Sequence, residues 1–215
     1  MTAIQVANSL LEDVNSLLDH HPAQKDPKPG KPAGPGYGPL LRAGTSLCYT
    51  AWEVYVEESL TETVEWLLEN KKVGELPEAL RSWVAKQSHD PWAFVGDSWQ
   101  STVLDLVQSR IHGDKQGSYG FNTASVSGVE SLYLNILGYC PLREIKWQKK
   151  TNASVRKDIS SLVKVRGEIV HRGSTPGALN LSGVRGWADF VRRLVEKFDE
   201  RMVEFRSGLT SGGKS

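Results

Sequence analysis

The sequence predicts an all-α fold, a helical bundle with additional helices, on three observations. Apolar residues recur at three- and four-residue spacings through most stretches between glycine and proline breaks. No stretch shows the alternating β-branched pattern with hairpin turns that strands need, and no repeat recurs at a fixed period. Of the 215 residues 39% are hydrophobic, ordinary for a domain with a buried core.

The elements follow in order. Ile4, Val6, Leu10, Leu11, Val14, Leu17 and Leu18 predict a first amphipathic helix over residues 1–21, closed by His20, His21 and Pro22. Residues 22–39 hold six prolines and several glycines, a composition that offers little apolar surface and cannot sustain a helix, so they read as a linker. From residue 40 a long apolar run without proline predicts one helix of seven to eight turns, or two with a bend near Ser59 to Thr61. Leu76 to Gln87 is a shorter helix, with Pro77 suited to its first turn and Leu80, Trp83 and Val84 on one face. Asp97 or Ser98 caps the next, whose stripe runs from Trp99 to Ile111. Gly113 to Gly120 is a turn-rich loop, Thr123 to Leu137 a helix closed by Gly138, and Thr151 or Asn152 caps a helix running to about Val170. The last helix spans Leu181 or Ser182 to Phe205, leaving 207–215 as a flexible tail behind a main domain of residues 40–206.

The 26 basic and 25 acidic side chains nearly cancel, so a nucleic-acid surface has to be local. Cys48 and Cys140 lie far apart without metal-ligand spacing and read as small buried hydrophobes in a reducing compartment. Nothing resembles a secretory signal, and no apolar run reaches the length of a membrane span. The expectation is a soluble cytoplasmic protein. His20, His21, His89 and His112 share no spacing for a metal, Gly34-x-Gly36-x-Gly38 lacks a strand-helix context, and the Asn152-Ala153-Ser154 sequon has no export signal beside it. No metal or cofactor is expected.

One segment departs from generic helix. Leu162 to Gly173 places Arg166 and His171 five residues apart at the end of an amphipathic helix. On an ideal helix that separation is about 140°, so the two side chains flank a cleft or meet a second copy rather than share a stripe. Metal-independent RNA cleavage needs a group that moves protons near neutrality, which imidazole does with its ordinary pKa of about 6.5. It also needs a fixed cation over the phosphate, a role for which the planar guanidinium is shaped. Spacing alone is weak evidence, because Arg and His also favour the carbonyl end of any helix.

The Arg-x4-His stretch, the upstream helix carrying Leu41 to Glu57, and the final helix behind a short Gly/Pro loop together resemble the HEPN superfamily, more narrowly its RiboL-PSP branch, over roughly residues 40–206. The resemblance implies an α-helical bundle and a homodimer in which the Arg/His motifs of two subunits converge. It also implies a metal-independent endoribonuclease in toxin or antiviral defence settings, with an antitoxin or defence-system partner. It carries over Arg166 and His171 as catalytic residues and Glu53, in the Trp52-Glu53-x-Tyr55 run, as a supporting acidic position. Two departures stand out: Gly167 occupies a position that is often polar, and Gly173 replaces the Tyr that receives a modification in the nucleotidyltransferase-paired branch.

Between Arg143 and Arg172 nine basic residues stand against three acidic ones, a local excess of six in a chain whose total is +1. Lys149, Lys150, Arg156, Lys157, Lys164 and Arg172 are the candidates for the RNA backbone. Trp147 is a candidate stacking side chain whose more common role is partial core. The leading expectation is an endoribonuclease acting by 2'-hydroxyl attack. The alternative is a catalytically silent HEPN module that binds RNA, a nucleotide or a partner protein, which Gly167 favours and the intact Arg/His pair opposes.

Overall fold

The computed structural model describes residues 1–21, 37–87, 98–114, 119–173 and 179–211. Among them seven α-helices appear: α1 (Ala3–Asp19), α2 (Gly38–Asn70), α3 (Glu78–Gln87), α4 (Trp99–His112), α5 (Val126–Leu137), α6 (Asn152–Arg172) and α7 (Leu181–Ser211). The described residues contain no strand, only an isolated bridge between Trp147 and Lys150. No described helix is long and apolar enough to cross a membrane. The expected all-α bundle is what the chain forms. His89, Asp97, Gly34 and Gly36, together with most of the 22–39 linker, lie outside the described residues.

The long helix α2 is the spine, touching α1, α4, α6 and α7. Its buried residues, among them Leu41, Cys48, Tyr49, Trp52, Tyr55, Val56, Leu60 and Leu67, run round its circumference rather than along one stripe, as suits a helix covered on several sides. It is continuous from Gly38 to Asn70, one helix rather than two, with Ser59 and Thr63 buried inside the bundle and the Thr63 hydroxyl donating to the Ser59 carbonyl at 2.8 Å. An aromatic cluster ties three helices together, with Phe198 of α7 set edge-on to Trp52, Tyr55 and Tyr133 at centroid separations of 5.6, 5.7 and 5.1 Å. Edge-to-face pairs of this kind add about 0.5–1.5 kcal/mol each beyond the area they bury.

Helix α1 starts in a capping box, Thr2 accepting from the Gln5 amide while the Gln5 side chain takes the Thr2 N–H. Its Ala7, Leu11, Val14 and Leu18 are buried in the same core as α2 and α7, so the first helix is part of the main bundle. Gly44 sits where α2 meets α1 and α7: a Cβ there would stand 3.0 Å from Val184 Cγ1 and within 4 Å of Leu18 and Val14. Cys48 and Cys140 are free and buried, and burial pushes each thiol up to about 12.

Two boundaries differ from expectation for physical reasons. Helix α5 begins at Val126, not Thr123, because the backbone of Ala124 is engaged by α2: its N–H donates to the Tyr49 hydroxyl at 3.0 Å and its carbonyl accepts from Trp52 Nε1 at 2.9 Å. Helix α7 continues to Ser211, six residues past the expected end at Phe205, so only 212–215 of the expected tail lie outside the described residues. Lys71 Nζ donates to the Leu209 carbonyl at 2.5 Å, and Leu209 packs on the core, which holds the last turns despite Gly208.

Candidate functional site

Helix α6 carries most of the candidate residues and is anchored firmly at its start. Thr151 caps it by accepting from the Ser154 amide at 3.2 Å. The Asn152 side chain donates to the Leu142 and Ile145 carbonyls at 2.7 and 2.8 Å, so the asparagine of the sequon is a structural tie. Val155, Ile159 and Leu162 are buried, and Arg166 falls four residues after Leu162 on that same stripe. Its half-buried guanidinium is therefore turned toward the bundle and meets α2.

There the Arg166 Cζ stands 5.0 Å from the centroid of the Tyr49 ring, a cation over an aromatic face. Tyr49 is buried, and its hydroxyl is held from two sides: it donates to Glu53 Oε1 at 2.7 Å and accepts from the Ala124 amide at 3.0 Å. Burial, followed by the bond to Glu53, drives the phenol pKa well above its usual value, so the hydroxyl stays protonated and remains a donor. Among the described residues Arg166 makes no ion pair with a carboxylate, so its charge is left open. One turn beyond Glu53, burial and the neighbouring Glu53 and Glu58 carboxylates push Glu57 up to about 7.

Glu53 thus joins the Arg166 neighbourhood through Tyr49. The sequence signal for that link was the four-residue spacing of Tyr49 and Glu53, which sets them on one face of α2. In the sequence Tyr49 is one more apolar position of the long run, because only the crossing of α2 and α6 shows what its ring faces.

His171 lies elsewhere. It is exposed in the last turn of α6, ahead of Gly173, which takes the left-handed conformation at φ +59° that closes the helix. The helix is unbroken from Asn152 to Arg172, so the 140° offset holds and the Arg166 and His171 of one chain do not share a face. Lys157, Lys164 and His171 follow one another at seven-residue intervals and are all exposed, forming an outward stripe some 20 Å long at about 1.5 Å per residue. A Cβ on Gly167 would meet nothing within 4 Å, so the position between is open.

The basic candidates divide by occupation. Lys149, Lys157, Lys164 and Arg172 are exposed and make no ion pair among the described residues. Arg156 instead grips Glu130 with both nitrogens, at 2.5 and 3.1 Å, and this bond holds the Glu130 carboxyl below the usual range. Lys150 Nζ sits 2.5 Å from Asp158 Oδ2 and 4.9 Å from the Phe190 ring centroid. Trp147 is half-buried against Phe190 and flanked by Arg193 at 5.6 Å, so its ring is already engaged.

No curated protein and no solved structure matches the chain significantly. The RiboL-PSP-HEPN family model matches residues 8–204, from within α1 to within α7 and across the whole site, and the chain belongs to that family.

Proposed function

We propose that this chain is an endoribonuclease that cuts RNA without a metal, with Arg166 of one protomer and His171 of a second serving one scissile phosphate. Membership of the HEPN family makes a nuclease-type or RNA-related module the coarse assignment. The observation that carries the finer one is Arg166: an arginine held by an aromatic face at a half-buried seam, with no carboxylate ion pair among the described residues, has its charge available for a phosphate. In the reaction the ribose 2'-oxygen attacks the adjacent phosphorus and the 5'-oxygen leaves. His171 takes the 2'-hydroxyl proton or supplies one to the leaving oxygen, and Arg166 balances the charge that develops on the phosphoryl oxygens. The exposed Lys149, Lys157, Lys164 and Arg172 bind the flanking backbone.

The 140° offset motivates the dimer, since two copies related by a two-fold axis present an Arg and a His to each other where one copy does not. The same offset favours the alternative of a silent RNA-binding module if the chain acts alone. Purified protein incubated with mixed RNA in EDTA separates them. Fragments ending in a 2',3'-cyclic phosphate, absent with His171→Ala, are the expected result, while RNA retained by the protein but uncut sinks the enzyme.

A further inference from the structure

We infer that Tyr49 is the positioning residue for Arg166, and that Glu53 acts on the site only through Tyr49. The inference rests on the proposed role of Arg166. An arginine side chain has four rotatable bonds, and one that must meet a phosphate in a set orientation loses rate for every alternative pose it visits. The Tyr49 ring supplies a flat, negative face 5.0 Å from Cζ, attracting the guanidinium without neutralising it as a carboxylate would. The ring is held in turn. Its hydroxyl donates to Glu53 Oε1 at 2.7 Å and accepts from the Ala124 amide at 3.0 Å, from opposite partners on α2 and the segment before α5. Two elements therefore fix one ring, and the ring fixes the guanidinium of a third.

This assigns Glu53 a different chemistry from a proton acceptor for RNA. What Tyr49 asks of it is an acceptor oxygen, which an amide also provides, so charge at this position is dispensable and geometry is not. Glu53→Gln is the discriminating substitution: a general base would lose about 10² or more in rate, an anchor little.

The test combines single-turnover cleavage with nuclear magnetic resonance of the Arg166 side chain in the full chain. In wild type, the Arg166 Nε–Hε proton is shifted upfield by the ring and shows cross-relaxation to the Tyr49 ring protons; absence of both overturns the proposal even if no variant is made. Glu53→Gln keeps the ring and its acceptor and is expected within about twofold of wild type in saturated rate, Tyr49→Phe keeps the ring but loses both hydroxyl bonds and falls about fivefold, and Tyr49→Leu falls about tenfold, all with RNA affinity unchanged. In an Arg166→Ala background Tyr49→Leu has no further effect on rate, since the ring acts through the guanidinium. An equal loss in both backgrounds makes Tyr49 merely structural and overturns the positioning role, and a loss of about 10² or more with Glu53→Gln overturns the account of Glu53. If wild type cuts no RNA, the enzymatic proposal fails by itself, and the resonance of Arg166 in wild type, set against Tyr49→Leu where the ring is gone, still decides whether the ring holds the guanidinium.

Discussion

Arginine and lysine carry the same charge but present it differently, and at position 166 the difference is measurable. The Arg166 guanidinium stands 5.0 Å from the Tyr49 ring centroid, and a guanidinium presents two N–H groups along one planar edge, while an ammonium offers a point charge on a flexible stem. Arg166→Lys is expected to bind RNA with near wild-type affinity and to lower the saturated single-turnover rate by about 10². A change in affinity alone would move Arg166 into the backbone-binding set. Glu57 offers a test that needs no RNA. Its carboxyl is pushed up to about 7 from an ordinary 4.5, so between those values the folded chain holds a proton that the unfolded chain has released. That contribution is fully present below 4.5 and is lost as pH rises through 7. Glu57→Gln should match wild type in urea unfolding at pH 4 and exceed it by about 1 kcal/mol at pH 8, a figure discounted for the half-exposed side chain. Equal stabilities at pH 8 would show that Glu57 ionises freely.

Neighbouring residues on α6 separate binding from stability. Arg156 is committed to Glu130 by two nitrogens, whereas Lys157, the next residue, points outward on the stripe with Lys164 and His171. Arg156→Ala is expected to cost about 1–2 kcal/mol in stability by leaving a poorly exposed carboxylate with only the longer contact to Arg143 at 3.6 Å, with RNA affinity little changed. Lys157→Ala should leave stability within about 0.5 kcal/mol and shallow the salt dependence of RNA binding by up to about one unit of slope. Filter binding across a salt series with parallel unfolding curves checks both, and the reverse pattern would exchange their roles. The sequence carried the element order because periodicity and caps are local: Thr151 and Gly138 sit where a cap and a stop were expected. What it could not carry was contact across the bundle. The pairing of Arg156 with Glu130 spans 26 residues, that of Ala124 with Tyr49 spans 75, and the first moved a basic candidate into the fold's interior bonding while the second shortened α5. The Arg166 to Tyr49 contact is of the same kind, which is why the motif was visible and its support was not.

Whether one chain holds a complete site decides how the protein can act. Helix α6 turns Arg166 toward α2 and His171 toward solvent, and its regularity from Asn152 to Arg172 leaves no kink that could bring them together. If the site forms between copies, a chain lacking the arginine and a chain lacking the histidine are each inactive alone, yet together assemble one intact site from the remaining His171 of the first and Arg166 of the second. Mixing Arg166→Ala with His171→Ala in equal amounts should recover roughly a quarter of the wild-type rate, because half the dimers are mixed and each holds one complete site of two. Light scattering on the same samples gives the mass, and recovery should fall away on dilution as dimers dissociate. A dimer by mass with no recovery would confine Arg166 and His171 to a site within one protomer, and a monomer that cleaves RNA would remove the second copy from the mechanism altogether.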